Sequence, residues 1–367
     1  MPVCRSFLLL GFVLTALAGC AERGSIRPVP PDAPKAATVE VFAATNRKAL
    51  TVGPETGRSE NIRHFRLLAR VPPDRKAGQL SLPKGRVNPK RDFLAEEFGE
   101  YRSGKAFVEA INRRLGALPA SDRNVTLYVH GFNKTFAEGV MRLAQLDHDL
   151  GASGVPVHFS WPSAGLPVGY AHDRDSVLYS RDALEEVMRS MPTGRQRLLL
   201  VAHSMGAQLV METLRQIEIA TPGWGRRNLQ GVILISPDID VDLFRAQAAR
   251  IGKLPQPFVI FTSSKDRALG LSAIATGRTS RLGNILDPKD IAELEVTLLD
   301  VTSFSSGIGH FNVGTSAGLL RVLSQVGQFD EAFSNEGKGQ TGLVQGTVLM
   351  VQNVTNIVLS PLSGGLP

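Results

Sequence analysis

The chain has 367 residues, 43% of them hydrophobic and 20% charged, a balance that excludes a disordered or collagen-like polymer and supplies enough apolar material for a sizeable core. The formal net charge of +7 is spread over Arg and Lys along the whole length, with no basic run interleaved by aromatics. That pattern disfavours a nucleic-acid partner and leaves a solvated basic surface or attraction to anionic lipid.

At the amino end, Arg5 precedes an apolar run from Phe7 to Leu17, the length of a signal-peptide core and too short to span a bilayer. The run predicts export. It closes on Leu17-Ala18-Gly19-Cys20, which resembles the lipobox of bacterial lipoproteins, where the cysteine is acylated and becomes the mature N-terminus. An ordinary cleaved signal or an uncleaved anchor are the alternatives. Cys4 lies inside the signal, so after cleavage Cys20 is left without a partner for an internal disulfide. Ala21 stands where Asp would redirect an enteric-type lipoprotein, so the expected location is the cell envelope, at the outer membrane facing the periplasm. The Pro-rich stretch Arg27 to Pro34 can form neither helix nor central strand and predicts an extended tether lifting the rest off the surface. The expected organisation is signal peptide 1–19, tether 20–36, main domain 37–330 and a C-terminal extension 331–367.

In the main domain, Thr38 to Ala43 alternates as a strand, and His64 to Val71 is a second strand stopped by Pro72-Pro73. Residues 75–90, rich in Pro, Gly and basic side chains, predict a surface loop or edge hairpin. Phe107, Ile111 and Leu115 predict a helix over 106–115. Val125 to Val129 is a buried-type strand running into His130-Gly131-Phe132-Asn133. Helix over 136–150 and strand over 155–160 follow, the latter ending at Trp161-Pro162-Ser163-Ala164-Gly165. A single helix is expected over 176–191, then strands over 198–202, 231–235, 257–261 and 294–301. Strands alternating with helices predict an α/β fold with a mainly parallel central sheet flanked by helices, its ligands bound outside the carboxyl ends of the strands. His148 and His172 lack ligand-spaced partners, and no His-x-x-x-His or Cys-x-x-Cys occurs, so no metal site is expected.

The strand from Leu198 stops at Ala202-His203-Ser204-Met205-Gly206 and restarts as a helix carrying Leu209, Val210, Leu214 and Ile217 at helical spacing. That join fits the nucleophile elbow of α/β-hydrolases, with alanine in place of the usual first glycine. Small residues on either side of the serine let the helix pack hard against the strand. A helix-capping serine is the competing explanation. By analogy with the same fold, the His130-Gly131 pair opens the loop that donates one N–H to an oxyanion hole, making Phe132 and Met205 the two donors. His130, Gly131, Asn133, His203 and Trp161 are the candidate pocket residues, with a satisfied core histidine as the alternative for His130.

A serine hydroxyl needs a neighbouring imidazole to take its proton and a carboxylate to orient that imidazole. The fold's chain order is serine, acid, histidine. Asp266, in the turn Ser263-Ser264-Lys265-Asp266 after a late strand, is the preferred acid, with Asp238 and Asp240 in reserve. His310, in Gly309-His310-Phe311, is the only histidine beyond the elbow and the expected base.

Taken together, Ala44-Thr45-Asn46-Arg47, Tyr128 to Asn133, Phe159 to Pro162, Ala202 to Gly206, Ser236 to Asp240, Lys265 to Leu269 and Gly309-His310 resemble a bacterial family of esterase/lipase-like α/β-hydrolases of largely unassigned substrate, over roughly residues 38–325. The elbow is also similar to that of certain small bacterial lipases. The resemblance implies a Ser204-Asp266-His310 hydrolase without cofactor and names no substrate. The expected activity is therefore hydrolysis of a carboxylic ester, small-molecule or lipid, by a protein anchored in a membrane through its N-terminal lipid. A catalytically silent envelope scaffold and an acyltransferase using the same triad are the alternatives.

In the tail, Leu343 to Leu362 carries valines among Gln345, Gln352, Asn353 and Asn356, too polar for a membrane span. It predicts a helix or strand packed on the domain, or else a partner-binding or membrane-surface element. Metabolic labelling with a fatty acid should mark the wild-type chain and leave Cys20→Ser unlabelled; equal labelling of the two removes Cys20 as the acylation site.

Overall fold

The computed structural model describes residues 23–50, 52, 57–192, 198–277, 280–304, 312–316, 319–320, 338–341 and 344–361. Cys20, the signal segment and His310 lie outside the described residues. Three strands open the chain, β1 (Thr38–Arg47), β2 (Arg58–Arg70) and β3 (Leu94–Glu100). Helix α1 (Gly104–Gly116) leads to β4 (Val125–Val129), α2 (Phe136–Leu150) to β5 (Val155–Ser160), and α3 (Tyr170–Tyr179) with α4 (Arg181–Ser190) to β6 (Leu198–His203). After the elbow come α5 (Met205–Ala220), α6 (Trp224–Asn228), β7 (Leu229–Ile235), α7 (Val241–Ile251), β8 (Phe258–Thr262), α8 (Arg267–Ala275) and β9 (Val296–Asp300). Strands β10 (Lys338–Thr341), β11 (Val344–Val351) and β12 (Val354–Pro361) end the chain's described structure.

Among the described residues these form one sheet of twelve strands, in the order β10-β11-β12-β9-β8-β7-β6-β4-β5-β1-β2-β3. Pairing is parallel from β12 across to β1 and antiparallel at both margins. The central strands are covered on both faces, which is why they read as continuous apolar runs. On β4, Val125, Leu127 and Val129 join the core under α1 and α5, whereas Tyr128 points to the opposite core under α2. On β6, Leu198, Leu200 and Ala202 face the first core and Val201 the second. The two-residue period of the strand thus feeds two cores at once.

Helix α2 is closed at both ends as its sequence dictates. Thr135 accepts from Glu138 N–H while Glu138 accepts from Thr135 N–H, and Gly151 ends the helix in the left-handed region at φ 57°. Parallel strands with helical crossovers put the carboxyl ends of β4, β5, β6, β7, β8 and β9 on one edge, where the loops after them converge.

Two expectations need correction, and one strand lies beyond them. The single helix over 176–191 is two helices, α3 and α4, divided at Ser180, which is buried with its hydroxyl accepting from Asn46 Nδ2 at 3.0 Å. Strand β3 was not foreseen, because at an edge only its first two residues are buried and the rest carries Glu96, Glu97 and Glu100. The Pro-rich stretch is not a free tether over its described part. Ala95 N–H donates to Arg27 O at 2.9 Å and Val29 N–H to Ala95 O at 3.1 Å, so residues 27–29 lie along β3. The tail takes the expected form of strand packed on the domain, since β12 pairs in parallel with β9 through Val354–Val296 to Val358–Asp300 and continues the sheet. Among the described residues no helix is long and apolar enough to cross a membrane.

Ile357 of β12 is 1% exposed within the core under α2. Truncation to Ala should lower the unfolding free energy by about 2–4 kcal/mol in denaturant titration; an unchanged midpoint would mean that the tail adds nothing to the sheet.

Candidate active site

Ser204 sits between β6 and α5 with φ 54° and ψ −124°, a region that L-residues avoid at a cost of about 1–3 kcal/mol. The turn is pinned through its main chain: Ser204 N–H donates to Ile235 O at 3.0 Å, and Ser204 O accepts from Ala207 N–H at 3.0 Å and Asp238 N–H at 3.2 Å. The hydroxyl makes no capping bond to α5, which removes the helix-cap explanation of the serine. Gly206 packs so closely on the end of β4 that a Cβ there would collide with the carbonyl oxygen of His130. On the other side of the serine a Cβ on Gly131 would sit 2.8 Å from Ser204 Cβ and 2.6 Å from His203 Nδ1. The elbow and the loop after β4 therefore touch through glycine alone.

That loop has a definite shape. Asn133 is at φ 55°, its N–H donates to Asp173 Oδ2 at 3.2 Å, and Lys134 N–H donates to Ser163 Oγ at 3.1 Å. Asp173, fully buried, also accepts from Ser163 Oγ at 2.5 Å and from Ala164 N–H at 2.7 Å, tying the loops after β4 and β5 together. With those two amides committed, Phe132 is the residue of the loop next to Gly131 and the elbow. Its ring lies edge-on to Tyr170, centroids 5.5 Å apart. Met205, the other expected donor, is the first residue of α5, where an amide has no intrahelical acceptor.

Beneath the loop is a buried cation. Arg47, at the end of β1 and 1% exposed, donates to Ser160 Oγ at 2.9 Å, Ser163 O at 2.8 Å and Lys134 O at 2.8 Å, with Nη2 3.2 Å from His130 Nε2. Burial pulls its guanidinium down to about 9, against the pull of Asp173 and Glu138, so it stays charged at neutral pH. His130 is fully buried and stacks on Trp161 at 4.9 Å; Trp161 Nε1 donates to His130 O at 2.7 Å. Burial, reinforced by Arg47 and His158, holds the His130 ring well below the usual histidine range. His130 and Trp161, expected among the pocket residues, are buried beneath the loop after β4, where the His130 ring nitrogens are engaged by the Gly131 and Trp161 carbonyls and by Arg47. Asn133 turns its side chain outward to Arg23, and His203 is packed against Gly131. Sequence reading placed Arg47 in a motif and gave it no role, and it passed over Asp173.

The three carboxylates separate by their partners. Asp240 caps α7, accepting from Asp242 N–H at 3.1 Å and Leu243 N–H at 3.2 Å. Asp238 accepts from Ser272 Oγ at 2.6 Å and Tyr170 OH at 3.1 Å and lies 3.3 Å from Arg281 Nε, so neighbours already occupy it. Asp266 is 3% exposed at the carboxyl edge beyond β8, with Oδ1 accepting from Leu269 N–H at 3.1 Å. It stands two strands from Ser204, a span of about 10 Å at the usual strand spacing. His310 lies outside the described residues; the chain leading to it leaves β9 where Thr302 Oγ1 accepts from Ser264 N–H at 3.0 Å, two residues from Asp266.

The family described as "Alpha/beta hydrolase of unknown function (DUF900)" matches residues 105–325, and no curated protein matches. Among solved structures, a fungal esterase from Rhizomucor miehei is 11% identical, covering 80% of this chain and 87% of its own with a TM-score of 0.35. An arylesterase is 10% identical over 89% and 96% at 0.33, and an ester-hydrolase from the metagenome of Lake Arreo 12% identical over 91% and 99% at 0.35.

His130 and His158 give the site a pH signature. Burial lowers the His158 ring to about 3, and a Cβ on Gly139 would collide with its Nε2, so the ring is closely enclosed. Both folded pKa values lie below the unfolded one. Unfolded chain therefore gains protons below about pH 6.5 that the native state refuses, and stability falls as pH falls, by up to about 1.4 kcal/mol per pH unit for each ring. His158→Asn keeps a donor toward Tyr128 O, the present partner of Nδ1 at 3.0 Å, and should lower the slope measured by urea unfolding between about pH 6 and pH 4 by up to about 1.4 kcal/mol per pH unit; an unchanged slope would mean that His158 takes up no proton on unfolding.

Proposed function

The chain belongs to this alpha/beta hydrolase family, and on that premise we propose that it is a serine hydrolase cleaving carboxylic esters through an acyl-enzyme. The observation that carries the proposal is the forced backbone of Ser204, whose side chain is held against Gly131 at the mouth of a loop with committed neighbouring amides. Strain of this kind is retained at reacting centres. Ser204 Oγ attacks the acyl carbon while His310 takes its proton, and Asp266 orients His310 and stabilises the imidazolium. Phe132 and Met205 N–H groups receive the oxyanion, each worth about 10²–10³ in kcat. His310 then returns the proton to the alcohol as the ester bond breaks. Water, deprotonated by His310, attacks the acyl-serine and releases the carboxylic acid with Ser204 restored.

Asp266 is assigned as the acid in place of Asp238 because Tyr170, Ser272 and Arg281 already hold Asp238; Asp240 and Asp266 each cap a helix, and Asp266 is the more buried of the two, at the carboxyl end of β8. The lipobox at Cys20 supports the further proposal that the hydrolase is an exported, acylated lipoprotein of the bacterial envelope.

A fluorophosphonate probe should label the wild type and not Ser204→Ala; labelling of both refutes the nucleophile. Asp266→Asn should cut kcat on p-nitrophenyl esters by about 10³–10⁴ with little change in KM. A comparable loss confined to Asp238→Asn moves the acid to that residue.

A further inference from the structure

The segment expected to hold the domain away from a membrane ends on the catalytic edge itself. Arg23 makes five hydrogen bonds there: Nε to Glu138 Oε1 at 2.8 Å, Nη1 to Asn133 Oδ1 at 2.7 Å and to Gly165 O at 2.9 Å, and Nη2 to Asn133 O at 2.9 Å and Glu138 Oε2 at 3.2 Å. Gly24 lies so close to Thr135 that a Cβ would collide with its side chain. Cys20 is three residues before Arg23, so its Cα lies within about 11 Å of Arg23 Cα even in a fully extended chain. A lipid on Cys20 would therefore be tethered within that reach of Arg23, which is bound to the loop after β4.

The same edge carries exposed apolar side chains. The loop after β5 presents Leu166 at 39% and Val168 at 91% exposure, and α8 presents Leu271 at 69% and Ile274 at 77%. On α8 these two lie three residues apart on one outward face, while Leu269, Ser272 and Ala273 turn inward. The two segments are joined by Tyr170 OH and Ser272 Oγ, 2.6 Å apart, and Tyr170 packs on Phe132. Lys265 and Arg267 stand exposed where α8 begins, next to Asp266. Apolar residues behind a basic collar at one rim match an anionic bilayer surface.

We infer that this rim, Leu166, Val168, Leu271 and Ile274, rests on the membrane that holds the lipid of Cys20, so that the site opens onto the bilayer and its substrates are long-chain esters drawn from it. The inference rests on the ester-hydrolase and lipoprotein proposals above. Two anchors on one face, a covalent lipid and an apolar rim, orient the domain, whereas a lipid on a free tether would leave it to tumble.

The acylated protein, reconstituted in vesicles of phosphatidylcholine and phosphatidylglycerol, tests this through an environment-sensitive fluorophore on Ile274→Cys or, at the opposite edge of the sheet, on Ser121→Cys. Brominated lipids should quench the label at position 274 and spare the one at 121; equal quenching, or quenching at 121 alone, overturns the inference. A blue shift of the 274 label on concentrating the protein without vesicles assigns the face to a second copy and also overturns it. The variant Val168→Asp/Leu271→Asp/Ile274→Asp should lower the ratio of vesicle-ester to dissolved short-chain-ester hydrolysis by roughly tenfold. An unchanged ratio refutes the bilayer as the source of substrate. If no ester is turned over by the wild type, the hydrolase proposal fails while the quenching still decides the docking.

Discussion

One buried cation organises the reacting edge. Arg47 reaches from the end of β1 to groups after β4 and β5, bonding Ser160, Ser163 and Lys134 and meeting His130, so three separate stretches of chain are fixed relative to one guanidinium. A charge in that position is costly unless every donor finds an acceptor, which ties the loop geometry to the completeness of the network. Asp173 performs the complementary task from α3, collecting the amides of Asn133 and Ala164 and the hydroxyl of Ser163. Between them the loop next to Ser204 is held by electrostatics from below, and the strain at Ser204 is sustained by a surround that has no slack.

The parallel sheet was legible because its strands are buried on both faces. Val125 to Val129 and Leu198 to Ala202 are almost wholly apolar, and α2 and α4 between them keep a clear amphipathic spacing. The elbow was legible for another reason: its small residues are dictated by contacts to Gly131 and His130 that no larger side chain would allow. What stayed hidden depends on distant partners. Ser180 divides a helix only because Asn46, 134 positions away, receives its hydroxyl into the core. Likewise, β12 follows the preceding strand β9 in space although 53 residues separate Asp300 from Val354, and nothing local in the tail reveals that neighbour. His130 reads as a pocket residue from its position beyond a strand, and only the packed ring of Trp161 and the charge of Arg47 show it to be structural.

Both ends of the described chain are therefore built into the domain. The amino end starts on the loop after β4 at Arg23 and then runs along β3, and the carboxyl end extends the sheet beyond β9, so the edge that carries Ser204 lies between two segments that come from the chain's ends.

The strap along β3 has a consequence for how the protein meets other chains. An edge strand offers a row of unpaired backbone groups to any extended chain that approaches. Here Arg27 and Val29 pair with Ala95, and Pro28, Pro30 and Pro31 around them have no N–H to pass the ladder on. Along that stretch the sheet ends in a chain that cannot template another, which protects a large sheet from recruiting its neighbours.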